Sequence, residues 1–239
     1  RYAYNARGQL ISTTAYDPAS GIGRTATLSY CESTEVTADS CSFIGLVKAI
    51  DGPRTDVSDI VTFAYRQADH PDCATAPSTC AWRKGDLWKT TNAVGHVTEV
   101  LAYDGAGRVT AMRDPNGITT TLQYDSRGWL TRGTEGGDSA IRFGDEVTRI
   151  DYTADGLVRK LTRPDGSVAL FGYDAGQRLT TVADSDGNAI VYTLNAAGER
   201  IAERTYDATG GLTRELSRAF DSLGRLVRIV DANNAATVF

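Results

Sequence analysis

One phrase, repeated along the chain, limits what it can fold into: an aromatic, then Asp or a substitute, two variable residues, Gly, often Arg, and an aliphatic. It reads Tyr103-Asp104-Gly105-Ala106-Gly107-Arg108-Val109, then Tyr124-Asp125-Ser126-Arg127-Gly128-Trp129-Leu130, and finally Phe220-Asp221-Ser222-Leu223-Gly224-Arg225-Leu226. Weaker copies begin at Tyr4 (with Asn5 and Gly8), Tyr152 (with Gly156), Tyr173 (with Asp174 and Arg178) and Leu194 (with Asn195 and Gly198). Starts step by 21 residues from 103 to 124, from 152 to 173 and from 173 to 194, with longer steps of 28 and 26 elsewhere.

Asp or Asn at the second place of the phrase and Gly three residues later suit a type I turn, in which the carboxylate caps backbone N–H groups and Gly accepts the exit conformation. Seven residues past several phrase glycines a second turn follows, at Asp114-Pro115-Asn116-Gly117, Arg163-Pro164-Asp165-Gly166 and Asp231-Ala232-Asn233-Asn234. Asp184-Ser185-Asp186-Gly187 follows the weaker copy at Tyr173. Each 21-residue unit therefore reads as two short strands and two turns, which is a hairpin. Between turns the residues alternate as in a sheet, with Ile118, Thr120, Leu122 and Tyr124 on one face and Thr119, Thr121 and Gln123 on the other. Leu157, Arg159 and Leu161 set against Val158, Lys160 and Thr162 suit a sheet wetted on both sides. The expected fold is all-β, a single region of tandem hairpins over residues 1–239, forming a curved antiparallel sheet with two open edges that invite self-association.

Two long loops, residues 31–42 and 66–84, replace expected turns in the first half. They carry the four cysteines as two local pairs, Cys31 with Cys41 and Cys73 with Cys80. Neither spacing resembles the short knuckles of structural zinc, so disulfides formed in an oxidising compartment are the reading here. Arg1 opens the chain, Met112 is the only methionine, and the amino end lacks a signal-sequence pattern, as expected of a fragment or a processed piece.

The phrases resemble the YD-repeat or Rhs-type family, named for the Tyr-Asp of Tyr103-Asp104 and Tyr173-Asp174, and the resemblance runs along essentially the whole chain. It implies repeats that spiral into a hollow β-cage, which in secreted bacterial toxins encloses a carboxy-terminal toxic domain and in teneurins forms an extracellular barrel. On that reading the partners are the remainder of a parent shell and an enclosed toxin. The DPxGL-like segment at which bacterial Rhs shells cleave themselves is not found in this sequence.

A net charge of −5 gives no general attraction to nucleic acid, and no apolar run reaches the length of a spanning helix. His70 lies in an insertion and His96 follows a turn, so neither is assigned as a base. The aspartates concentrate at turn positions, which disfavours a glycosidase pair. Asp184-x-Asp186-Gly187-Asn188 resembles the opening of a calcium loop, but Asn195 stands where a bidentate Glu is needed. The expectation is a structural segment with no cofactor, no metal and no catalytic residue. Its repeat-turn residues are Tyr103, Asp104, Gly107, Tyr124, Asp125, Gly128, Tyr173, Asp174, Asp221 and Gly224. The alternative is an extracellular carbohydrate-binding or adhesion module, in which the repeat aromatics stack on sugars.

Overall fold

The computed structural model describes residues 1–136 and 146–239. Among them lie nineteen strands. The first nine are β1 (Tyr2–Tyr4), β2 (Leu10–Tyr16), β3 (Gly23–Tyr30), β4 (Val47–Asp51), β5 (Val61–Tyr65), β6 (Leu87–Thr91), β7 (Val97–Tyr103), β8 (Val109–Arg113) and β9 (Thr119–Tyr124). There follow β10 (Leu130–Gly136), β11 (Glu146–Tyr152), β12 (Val158–Thr162), β13 (Val168–Tyr173) and β14 (Leu179–Asp184). The last five are β15 (Ala189–Leu194), β16 (Arg200–Tyr206), β17 (Leu212–Phe220), β18 (Leu226–Val230) and β19 (Ala236–Val238). One compact unit comprises Arg1–Leu122 and, among the described residues, Glu135 and Gly136; the other comprises Gln123–Thr134 and, among the described residues, everything from Glu146 onward.

Within each unit every strand pairs antiparallel with the next one in sequence, from β1 to β9 and from β11 to β19. The all-β reading from tandem hairpins holds. Register slips recur beside the last residue of a strand, which is most often a tyrosine. Gly172 faces Thr181 but Tyr173 faces Leu179, so Thr180 is passed over, and the same slip occurs at Tyr4, Tyr103, Tyr152, Leu194 and Phe220. Such a bulge sharpens the local twist and re-aims the neighbouring side chain. The second turns after β8, β12, β14 and β18 lack it: Lys160 to Thr162, for example, pair with Leu170 to Val168 without a break.

A sheet one layer thick buries little, because each side chain has solvent above it rather than a second layer. Among the described residues the buried apolar side chains are Cys31, Cys41, Cys80, Val100 and Ala202, with Ser42 the one buried polar residue. Three of these six are in or next to the first insertion, which has a small core of its own.

The insertions are more ordered than simple loops. The first holds a short helix, α1 (Ser33–Thr37), started by a capping box in which the Glu32 and Glu35 side chains each accept from the other residue's end of the turn. The second holds one 3-10 turn, Pro71–Ala74, whose first free N–H, on Asp72, donates to His70 Nδ1 at 3.2 Å. Five and four residues are too short to leave a hydrophobic period, so the periodicity of the sequence cannot reveal them.

Candidate functional site

The repeat turn is the feature that recurs, and most copies share one pattern of hydrogen bonds. In the turn after β7 the Asp104 Oδ1 accepts from the backbone N–H of Ala106 at 2.9 Å and of Arg108 at 3.0 Å. The Gly107 N–H donates to the Asp104 carbonyl at 2.9 Å, with Gly107 at φ +78°. Asp125 and Asp221 repeat this with Gly128 at φ +90° and Gly224 at φ +75°. An L residue there is strained, which is why glycine stands at that place. After Asp174 the left-handed place is taken by Gln177, at φ 62°, while Gly176 precedes it. The fourth-place glycine of the sequence pattern is therefore not obligatory.

The arginine that follows closes the turn from outside. The Nε of Arg108, Arg178 and Arg225 donates to the Oδ2 of Asp104, Asp174 and Asp221 at 2.7, 2.8 and 2.7 Å. The Arg178 guanidinium and the turn's N–H groups hold the Asp174 carboxyl below the usual carboxylate range. For Asp221 the Arg225 N–H and then its guanidinium do the same. For Asp104 partial burial pushes upward but is outweighed by Arg108. These carboxylates accept from neighbours through both oxygens, which leaves them poorly suited to carry protons in a reaction.

Five tyrosines do something that the spacing did not disclose. Each stands at the end of a strand, beside the bulge, and its hydroxyl donates to the carbonyl of the first residue of the strand before it. Tyr30 bonds Leu10 at 2.7 Å, Tyr65 bonds Val47 at 2.8 Å and Tyr103 bonds Leu87 at 2.7 Å. In the second unit Tyr152 bonds Leu130 and Tyr173 bonds Val158, both at 2.9 Å. Every such bond joins one phrase hairpin to its predecessor. Tyr30 and Tyr65, which precede the two cysteine insertions, belong to this set although no Asp follows them. The signal that could have found them is position: each is the last aromatic before a departure from the sheet.

Tyr206-Asp207 shows the converse. Its turn has the Asp contacts and a register slip at Tyr206, yet it joins β16 to β17, at the strand ends opposite the turns at Asp174 and Asp221. A Tyr-Asp pair alone does not say at which end of a strand it lies.

Both insertions are closed by disulfides, Cys31 with Cys41 and Cys73 with Cys80. The first is fixed to the strand end at Arg66, whose carbonyl accepts from Ser42 Oγ at 2.6 Å. The second folds over the turn after β7: the Ala81 carbonyl accepts from the Tyr103 N–H at 2.7 Å. Arg66 lies 3.8 Å above the Trp82 ring and donates to the Val100 carbonyl at 2.8 Å. Burial pushes the Tyr103 phenol up to about 12, with the Asp86 charge adding to it and Arg66 opposing.

The other candidates have structural surroundings. His70 meets Trp82 edge to face at 4.3 Å, and the His96 N–H donates to Asn92 Oδ1 at 2.9 Å in a turn. Asp184 spends its carboxylate on the N–H groups of Asp186 and Asn188 and on Asn188 Nδ2 at 2.7 Å, while Asn195 begins a separate turn. Among the described residues no group of three metal-binding side chains converges, and no helix is long and apolar enough to cross a membrane.

Comparison with known proteins finds a repeat pattern in two stretches of the chain. The RHS Repeat pattern matches residues 103–139 and 152–189. No curated protein sequence matches the chain. A solved structure of the Photorhabdus luminescens Tc holotoxin pore, with a mutated TccC3, superposes with a TM-score of 0.57 at 14% identity, over 99% of this chain and 14% of that one. The crystal structure of TcdB2-TccC3-Cdc42 is also matched, at 14% identity over 98% of this chain and 17% of that chain, with a TM-score of 0.34. The chain thus spans a small part of the proteins it matches, and the first likeness is one of fold. The two stretches that match the RHS Repeat pattern lie, where they are described, in an all-β run of antiparallel hairpins.

Proposed function

We propose that the chain is a non-catalytic wall segment of an Rhs-type shell in a secreted bacterial protein, where it helps to enclose a carboxy-terminal toxin domain. The observation that carries this reading is the hydroxyl bond by which Tyr30, Tyr65, Tyr103, Tyr152 and Tyr173 each reach back to the preceding hairpin. It lets a one-layer sheet grow by identical joints without a conventional core, as a wall must. The RHS match and the Tc-like fold support the same assignment. The turn aspartates, engaged by backbone and arginine, support a structural part rather than a reacting one. The partners are the remainder of the parent shell and its enclosed domain.

Limited proteolysis of the parent protein tests this. The carboxy-terminal domain should survive protease concentrations that digest the same domain expressed alone, and lose that protection when Gly107, Gly128 and Gly224 are all replaced by Val. Equal digestion of the two forms would remove the shell reading. Saturable binding of an oligosaccharide by the intact chain, abolished by replacing its exposed tyrosines, would favour the carbohydrate-binding module instead.

A further inference from the structure

Arg108, Arg178 and Arg225 of the repeat turns lie 2.6–2.8 Å from their turn carboxylates. A second set, on one face of β15 to β17, has longer contacts. Glu203 sits there, 17% exposed, with Arg200 Nη1 at 3.8 Å, Arg214 Nη1 at 3.8 Å and Arg218 Nη2 at 3.3 Å. Three cations thus share one anion. The Arg200 guanidinium is held 3.6 Å over the Tyr192 ring, and Tyr192 pairs across the strand with Glu203. Arg218 Nη1 is buried with no hydrogen-bond partner. Each guanidinium has five N–H donors, and the long contacts of Arg200 and Arg214 leave theirs free among the described residues. Cross-strand register explains the convergence: Glu203 faces Leu216, and Arg214 and Arg218 are its diagonal neighbours on the same face.

We propose that this cluster is an oxyanion site, in which Arg200 and Arg214 grip a carboxylate, sulfate or phosphate group from two sides and Arg218 supplies further positive field. The aromatic shelf of Tyr192 fixes Arg200, so little ordering is needed when the anion arrives. Glu203 spaces the cations while the site is empty and weakens the anion's hold once it is filled. In a chain of net charge −5 the patch is a local reversal of sign, as a site for an acidic group requires.

The test uses the whole chain at fixed ionic strength with chloride as the control. Two probes, sodium sulfate and a capped glutamate-rich peptide, are titrated while the Arg and Tyr192 NMR signals are followed. Saturable binding of either probe is expected. Arg214→Gln, at a side chain 59% exposed and thus compatible with the fold, should weaken it about tenfold, the loss of one charge-assisted hydrogen bond. Glu203→Gln should tighten it. Binding of sulfate alone identifies a tetrahedral oxyanion as the ligand, and binding of the peptide alone identifies a carboxylate. No saturation with either probe, or equal affinity in the Arg214→Gln chain, overturns the proposal.

Discussion

The Tyr173 hydroxyl donates to the Val158 carbonyl at 2.9 Å, and through that bond the hairpin of β13 and β14 is fastened to the hairpin of β11 and β12. It joins two residues 15 apart that backbone pairing does not itself connect. Removing the hydroxyl by Tyr173→Phe leaves the carbonyl without this partner, and should lower the unfolding free energy by about 1 kcal/mol in a denaturant titration. Tyr152→Phe should behave likewise. No change at either site would mean that the joints are incidental to stability.

Tyr103 gives the same joint a pH signature. Its phenol is raised to about 12 by burial, then by Asp86, so the folded chain keeps a proton that the unfolded chain releases near pH 10. The stability is intact below pH 10 and falls as pH rises from there towards 12. Denaturation midpoints measured from pH 9 to 12 should drop more steeply for the wild-type chain than for Tyr103→Phe. Parallel curves would contradict the assigned surroundings.

At the acid end the turn carboxylates act in the opposite sense. Asp174 and Asp221 lie below the ordinary carboxylate range because Arg178 and Arg225 hold them charged, so their contribution is present above that range and is lost as pH falls through the folded value. Asp174→Asn should flatten the acid limb of a stability profile from pH 5 to 2. An unchanged limb would show that the Asp–Arg closure is not coupled to folding.

How much of this was legible follows from the kind of signal each residue leaves. Asp104, Asp125 and Asp221 could be placed from sequence because a turn demands local chemistry at fixed offsets, and Gly107, Gly128 and Gly224 because only glycine takes those angles without strain. The tyrosine joints were not legible. A hydroxyl that reaches a carbonyl 15 to 22 residues back depends on register and on a bulge, neither of which any local pattern encodes. Gln177 at φ 62° was hidden for a related reason: the glycine beside it satisfies the sequence pattern while a different residue takes the strained place. The Arg200, Arg214 and Arg218 cluster draws on two strands, so sequence distance concealed it as well.

Glycines with the same backbone but different neighbours separate strain from packing. Gly156 and Gly117 have φ of +88° and +87°, but a Cβ on Gly156 would lie 2.6 Å from the Trp129 ring while one on Gly117 meets nothing within 4 Å. Gly117→Ala should cost about 1 kcal/mol from backbone strain alone. Gly156→Ala should cost clearly more, since Trp129 must move off Tyr152, its ring neighbour at 5.2 Å. Equal losses in thermal or chemical unfolding would mean that the Trp129 contact is loose.

The two disulfides differ in shelter. Cys31 and Cys41 are both buried, whereas Cys73 is partly open to solvent. Each ring should contribute roughly 2 to 3 kcal/mol in the chain-entropy description. Rising dithiothreitol, followed by alkylation and mass mapping, should label Cys73 and Cys80 before Cys31 and Cys41. Thiol titration of the unfolded, unreduced chain should find no free cysteine.

The most direct test of the central claim is a cryo-electron microscopy map of the parent protein. The hairpins of residues 1–239 should run on, joint by joint, into a wall that closes around a separate domain, with Tyr103, Tyr152 and Tyr173 each bonded to the hairpin before it. A map in which this segment stands alone as an appended domain, or in which the wall encloses no polypeptide, would contradict the account.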